Sequence, residues 1–269
     1  MKMKVLLGLL FLTKFSLLVG ETPAITAVKV ESAKYNSSAK LKITSSNVLK
    51  KESPILLLVS NFPIGVDVNS PQLKDLGVPM SPSGSRVLIL FSNGKRIYVT
   101  KDDVNLLITE RAYFNKRFRV TIPSDIYNEV SGTNFQMYSM LINSYGETIK
   151  NDNAFYTDVY CYQNEKKGIE QHKVDLKKPF IVYNEPFGQK VNGNILLDFI
   201  VRNAILSPNE YKVDLYIDGV KIQRLYTQTP YVLQNLPKGK HECRLELVDP
   251  SGAVVKNNIS VNSATIYVK

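Results

Sequence analysis

The stretch LINSYGETIKND, residues 141–152, has an echo in ELVDPSGAVVKN, residues 246–257. Each is an apolar strand end, a polar pair, a glycine (Gly146 or Gly252) and a short run closing on Lys-Asn. A strand that leaves a core, turns at a glycine and returns is a hairpin, so the reading is one hairpin written twice. Such a phrase argues for scaffold rather than for a site.

Further matches continue in the same order. LILFSNGKRI (88–97) corresponds to VDLYIDGVKI (213–222) with Gly94 on Gly219, and ILLLVSNF (55–62) to LDFIVRNA (197–204) with Asn61 on Asn203. LKITSSN (41–47) matches FIVYNEP (180–186) loosely, and NAFYTDVY (153–160) matches SATIYVK (263–269) as a closing strand. Weak matches in a preserved order make the chain a tandem repeat. Runs rich in Val, Ile, Leu, Tyr and Phe are punctuated by Asn-Gly, Asp-Gly and Ser-Gly turns, and no long segment keeps a helical period. The fold class expected is all-β: two tandem immunoglobulin-like antiparallel β-sandwiches of about seven short strands each. One face of each strand should bury apolar side chains and the other meet water.

The boundaries read from this are a signal peptide over residues 1–24, an N-terminal extension over 25–40, repeat one over 41–162, a polar linker over 163–178 and repeat two over 179–269. The first segment, MKMKVLLGLLFLTKFSLLVGETPA, has a basic start, a Leu-rich run and small residues suited to cleavage near Gly20 or Ala24. Lys14 interrupts the run, so a retained transmembrane helix is not expected. Export to the periplasm or the extracellular space follows. Removal of residues 1–20, which carry Lys2, Lys4 and Lys14, lowers the formal charge from +10 to +7. That excess is spread over both repeats. It favours weak attraction to acidic surfaces and lacks the clustered footprint of a nucleic-acid reader, so no nucleic-acid partner is expected.

The repeats differ in length. Asn61 to Gly94 is 33 positions against 16 from Asn203 to Gly219, and Gly94 to Gly146 is 52 against 33 from Gly219 to Gly252. Repeat one therefore carries insertions of 17 and 19 residues, within DVNSPQLKDLGVPMSPSGS (67–85) and VTKDDVNLLITERAYFNKR (99–117). Long loops on a rigid sandwich are where recognition surfaces sit.

Catalytic chemistry finds little support. Only His172 and His241 could serve as a base, the first in the linker and the second a core or strand-end residue. Phosphate loops, HExxH and CxxC are absent, so no catalytic residue, metal ligand or cofactor is assigned. Asp102, Asp103 and Glu110 lack the oxygen ladder of a calcium loop. Cys161 and Cys243 lie in alternating runs and read as two separate buried thiols. ERAYFNKRFRV (110–120) interleaves Arg111, Lys116, Arg117 and Arg119 with Tyr113 and Phe114, a set able to stack rings and pair anionic groups. The competing reading places Phe118, Val120 and Ile122 inward and leaves Arg117 and Arg119 on the wet face of a strand.

The phrases NEPFGQKVNGNILLDFIVRN, YTQTPYVLQNLPKGKHECRLELVDPSGAVVKN and INSYGETIKNDNAFYTDVYCY resemble secreted bacterial proteins with tandem Ig-like β-sandwich repeats, some described as phosphopeptide-binding. The resemblance spans roughly residues 41–269. Similar sequences often carry a His after the Ser-Tyr of NSYGE, where this chain has Gly146. It implies an exported binding or structural protein and transfers phosphopeptide recognition to no residue. The function expected is non-enzymatic binding of an envelope protein or polymer through the two insertions. The alternative is a small acidic ligand, phosphopeptide or glycan, held by Arg111, Tyr113, Phe114, Lys116, Arg117 and Arg119; an enzyme ranks third.

Overall fold

The computed structural model describes residues 23–34, 38–49, 54–92, 97–99, 107–111, 115–120, 122, 124, 128, 135–162, 175–186, 188–190, 194–257 and 261–269. Residues 1–22 of the expected leader, most of the linker with His172, and Asp102, Asp103, Tyr113 and Phe114 lie outside them. Among the described residues no helix is long and apolar enough to cross a membrane.

The chain is all-β. In the first sandwich one sheet runs β2 (Lys40–Ile43), β4 (Ile55–Ser60), β8 (Asn115–Val120), β7 (Leu107–Arg111). Its partner sheet runs β3 (Val48–Leu49), β10 (Phe155–Tyr162), β9 (Phe135–Ile142), β5 (Arg86–Ser92), β6 (Ile97–Val99). In the second sandwich the order β1 (Thr26–Lys29), β16 (Tyr231–Gln234), β13 (Ile195–Arg202), β11 (Phe180–Glu185) faces β12 (Gly188–Lys190), β18 (Val261–Val268), β17 (Gly239–Val248), β14 (Lys212–Ile217), β15 (Val220–Leu225). In both, the first strand of the sandwich pairs antiparallel in one sheet, and the short strand after it crosses to pair parallel with the last strand of the other. This is the Ig-like arrangement made twice.

The repeated hairpin is the same object in both copies. Asn143 N donates to Glu147 O at 2.8 Å, Gly146 N to Asn143 O at 3.0 Å and Ile149 N to Leu141 O at 2.8 Å. Asp249 N donates to Ala253 O at 2.9 Å, Gly252 N to Asp249 O at 3.0 Å and Val255 N to Leu247 O at 2.9 Å. Gly146 and Gly252 hold φ of 91° and 92°, a region that disfavours side chains, which is why both copies need glycine here. Asn61 and Asn203 match as well. Both are left-handed, at φ 54° and 57°, and each sends its amide to the segment entering its sandwich, Asn61 to Ser38 O and Asn203 to Lys178 O. Asp218 and Gly219 form the expected tight turn between β14 and β15, with φ of 50° and 80°.

One expectation fails. The outer faces of β5, β9, β11 and β13 do not meet water. In β9, Phe135, Met137 and Leu141 enter the first core, while Tyr138, Met140 and Ile142 join Leu88 and Leu90 of β5 in a second apolar layer. Phe180, Val182 and Ile200 of the second sandwich complete that layer. The two sandwiches are therefore stacked sheet on sheet, and β9, buried at every position, serves a core on each side. Runs such as FQMYSMLI and ILLDFIVR have no wet face to mark with polar residues.

Three further segments are placed by long-range contacts. Insertion two supplies β7, which pairs with β8 as the edge strand of its sheet. The segment read as an N-terminal extension supplies β1, which takes the equivalent edge position in the second sandwich by pairing with β16. Insertion one forms a short helix, α1 (Pro71–Asp75), that lies over the seam between the sandwiches. There Leu73 and Val78 pack with Tyr145 of the first sandwich, Leu196 and Val232 of the second, and Val30. Gly84, at φ 64°, closes this insertion so tightly that a Cβ would sit 2.7 Å from the Gly65 carbonyl carbon.

Candidate functional site

Alternation in three strands builds one open face on the first sandwich. Leu41 and Ile43 of β2, Leu57 and Val59 of β4, and Phe118 and Val120 of β8 fill the core. Their neighbours Lys40, Lys42, Leu56, Arg117 and Arg119 are exposed, and Leu58 is half-buried. Ladder register sets Lys42 beside Leu58 and Leu58 beside Arg117, with Leu56 beside Arg119. Cations on the same strand are roughly 7 Å apart, and those two strands apart roughly 10 Å. The result is a flat face on which four positive side chains surround two leucines.

The wet-face reading of Arg117 and Arg119 is thus the observed one. Arg111 and Lys116 pair across the β7–β8 ladder, one register position from the Glu110–Arg117 pair. The corresponding face of the second sandwich is apolar and lies under the first. Lys40 and Lys42, which belong to the same face, were missed because β2 is remote in sequence from β8. The alternation of Lys40 and Lys42 with Leu41 and Ile43 was the available signal.

A second feature lies at insertion one. Asp67, Asn69, Lys74, Met80 and Tyr145 surround an open cleft of about 400 Å³ floored by Val68 and Val78. Ser144 fixes its wall, its Oγ accepting from Val68 N at 3.0 Å and its carbonyl from Ser81 N at 2.7 Å. Burial, then the charges of Asp67 and Asp75, raise the pKa of the Tyr145 hydroxyl, so it stays a donor.

Beneath the cleft the first copy of the hairpin carries a buried polar network that joins the sandwiches. Asp198 of β13 accepts from Thr148 N at 3.0 Å, Thr148 Oγ1 at 2.8 Å, Asn184 Nδ2 at 2.8 Å and Lys150 Nζ at 2.5 Å. Glu147 accepts from Ala33 N at 3.1 Å and Asn143 Nδ2 at 2.8 Å through Oε2. Its Oε1 is buried without a hydrogen-bond partner among the described residues. Every donor here is consumed by a structural contact, so the network is a joint and not a reaction centre.

Burial first, then the Asp198 carboxylate, push the Glu147 pKa up against the opposing pull of Ala33 N–H, Lys150 and Ser32. A carboxyl raised in the folded state stabilises below its unfolded pKa, and that contribution is lost as pH rises through the folded value. Glu147→Gln is expected to remove this loss and leave the protein roughly 1–3 kcal/mol more stable than wild type at pH 8, with little difference at pH 4. Urea unfolding at the two pH values measures it, and an equal effect at both would exclude Glu147 as the titrating group.

His241 is a strand-end residue. Its Nδ1 lies 2.7 Å from Asp218 Oδ2 and its Nε2 2.9 Å from Pro237 O. These two contacts tie the β14–β15 turn to the start of β17. Burial pushes the Asp218 carboxyl up, but His241 and the Glu242 N–H outweigh it and hold it below the usual carboxylate range. Cys243 is buried and free, and burial pushes its thiol up to about 12, which leaves it inert. Cys161 lies on β10, at the opposite sandwich. Among the described residues no group of three or more His, Cys, Asp or Glu side chains is placed to hold a metal ion.

No protein-family model matches the chain. No curated protein sequence matches it either. Among solved structures it is similar to the fibronectin(III)-like modules of Clostridium thermocellum CbhA, at 23% identity and a TM-score of 0.26, over 34% of this chain and 97% of that one. It is also similar to SGBP-B of the Bacteroides ovatus mixed-linkage glucan utilization locus, in complex with a mixed-linkage heptasaccharide, at 13% identity and a TM-score of 0.20. That match covers 85% of this chain but only 44% of SGBP-B, less than half its length. At these TM-scores neither likeness bears on the site.

Proposed function

We propose that the chain is an exported, non-enzymatic binding protein that engages an acidic polymer at the bacterial envelope through the open face of its first sandwich. The observation that carries this reading is the difference between the two copies of that face. In the second sandwich it is apolar and covered, with Phe180, Val182 and Ile200 under the first sandwich. In the first sandwich it presents Lys40, Lys42, Arg117 and Arg119 around Leu56, which is 41% exposed. A flat face with cations at polymer-like spacing and an apolar centre suits an extended anionic chain better than a compact ligand. Insertion two contributes its edge strand, β7, and so extends the face.

The test uses polygalacturonate and polyphosphate as probes. Wild type should be retained at low salt and released as salt screens the exposed cations. Reversing two charges with Arg117→Glu/Arg119→Glu is expected to weaken retention about tenfold, because exposed charges contribute roughly 0.5–1 kcal/mol each and about 1.4 kcal/mol is tenfold. Far-ultraviolet circular dichroism checks that the variant keeps the fold. Retention equal to wild type would overturn the reading.

A second reading rests on the cleft by Tyr145, whose volume of about 400 Å³ is within the range of small-ligand sites. Its Asp67 carboxylate, with Asn69 and Tyr145, favours a hydroxyl-rich ligand, such as a glycan, over a phosphopeptide. Neutral-oligosaccharide binding that Arg117→Glu/Arg119→Glu leaves intact would move the site there.

A further inference from the structure

The second sandwich does not encode its own edge strand beside β16. In the first sandwich that position belongs to β7, which pairs with the strand that follows it, β8. In the second, only residues 226–230 separate β15 from β16, too few to form a strand and return. The position is filled instead by β1, about two hundred residues away in sequence.

The pairing is antiparallel, with Thr26 opposite Gln234 and Lys29 opposite Tyr231. Three further bonds extend it: Val30 N to Pro230 O at 3.0 Å, Asn235 Nδ2 to Ala24 O at 3.1 Å and Ala27 N to Gln223 Oε1 at 3.3 Å. Ala27 is buried in the second core with half-buried Ile25 against it, and Val30 enters the layer under α1. The arm then crosses to the first sandwich, where Ala33 N meets Glu147, and the chain enters β2 at Lys40.

One physical feature makes this arm exchangeable: it is a four-residue strand at the edge of its sheet, held by contacts that any copy of the same arm could make. The same residues from a second copy would make the same ladder and the same core contacts, so exchange costs no contact free energy.

We infer that the β16 edge is a strand-acceptor site for the arm at residues 24–33, and that two copies of the chain exchange these arms. Each copy carries one donor and one acceptor, so reciprocal exchange closes a two-fold dimer. The mode is strand addition, with the ladder giving affinity and the Ala27 and Val30 positions giving register.

Thr26 is exposed and Gln234 half-buried, so a cysteine at either site leaves the core untouched. Full-length Thr26→Cys protein is mixed with full-length Gln234→Cys protein at rising concentration, incubated and oxidised without denaturant. Exchange predicts a disulfide linking residue 26 of one chain to residue 234 of the other, mapped by mass spectrometry, with a yield that grows with concentration. The double variant Thr26→Cys/Gln234→Cys reports the closed form as an internal link. If the double variant locks internally and the mixture never yields the 26–234 link between chains, the arm stays on its own copy and the inference is wrong. The measurement involves no ligand, so it is independent of the proposed polymer binding.

Discussion

Asp198→Ala is expected to destabilise the protein by about 3–5 kcal/mol, the cost of leaving one member of a buried ion pair without its partner. The Asp198 side chain is fully buried and Lys150 is 15% exposed, so neither group can recover its hydration in place. The substitution also strands Thr148 N–H, which Asp198 satisfies from across the seam, and takes one of two acceptors from the Asn184 amide, whose other partner is Gly146 O. The same carboxylate holds a hairpin of the first sandwich and a strand of the second, so its loss loosens the joint between them. Urea unfolding followed by far-ultraviolet circular dichroism would measure the shift. Asp198→Asn keeps the acceptor for Thr148 and should cost less; equal losses for the two variants would show that the charge, not the hydrogen bonding, is the whole contribution.

Phe180→Ala should cost a similar amount, about 3–5 kcal/mol, by opening a cavity in the apolar layer between the sandwiches. Its ring lies 6.5 Å from Phe155, which in turn lies 6.5 Å from Tyr138 and carries Arg202 over its face at 4.7 Å. Wild type is expected to unfold in one transition because the shared layer couples the two cores. The variant is expected to show two, the second sandwich retaining most of the core formed by Leu197, Phe199, Val213 and Leu245. Calorimetry distinguishes the outcomes. One unbroken transition in the variant would mean that the polar network and the arm, rather than this layer, carry the coupling.

Much of each sandwich was legible in the sequence because its signals are local. Gly146 and Gly252 mark the same turn since both need positive φ within one hairpin, and Asn61 and Asn203 mark the same strand exit for the same reason. Arg117 and Arg119 could be placed on a wet face because Phe118 and Val120, which alternate with them, must be buried. The rest of that face was harder to see. Lys40 and Lys42 reach it only after β2 pairs with β4 and β4 with β8, two pairings between distant segments. Both insertions were read as loops free for recognition. Their described parts became a ladder strand and a strap over the seam: Leu107–Arg111 pairs with β8, and Leu73 and Val78 needed an apolar surface to cover.

By itself the sequence determined the repeated unit: strand period, turn glycines and the order of matching phrases, all decided by residues within a few positions of one another. Only the tertiary structure decided that the outer faces of β9 and β13 bury each other, that Asp198 and Lys150 join the two units, and that a strand from the start of the chain completes the sandwich at its end. Those choices depend on which exposed edges and apolar faces remain once each sandwich has formed. Local propensity is silent about partners two hundred residues away, and the free energy of covering those faces selects them.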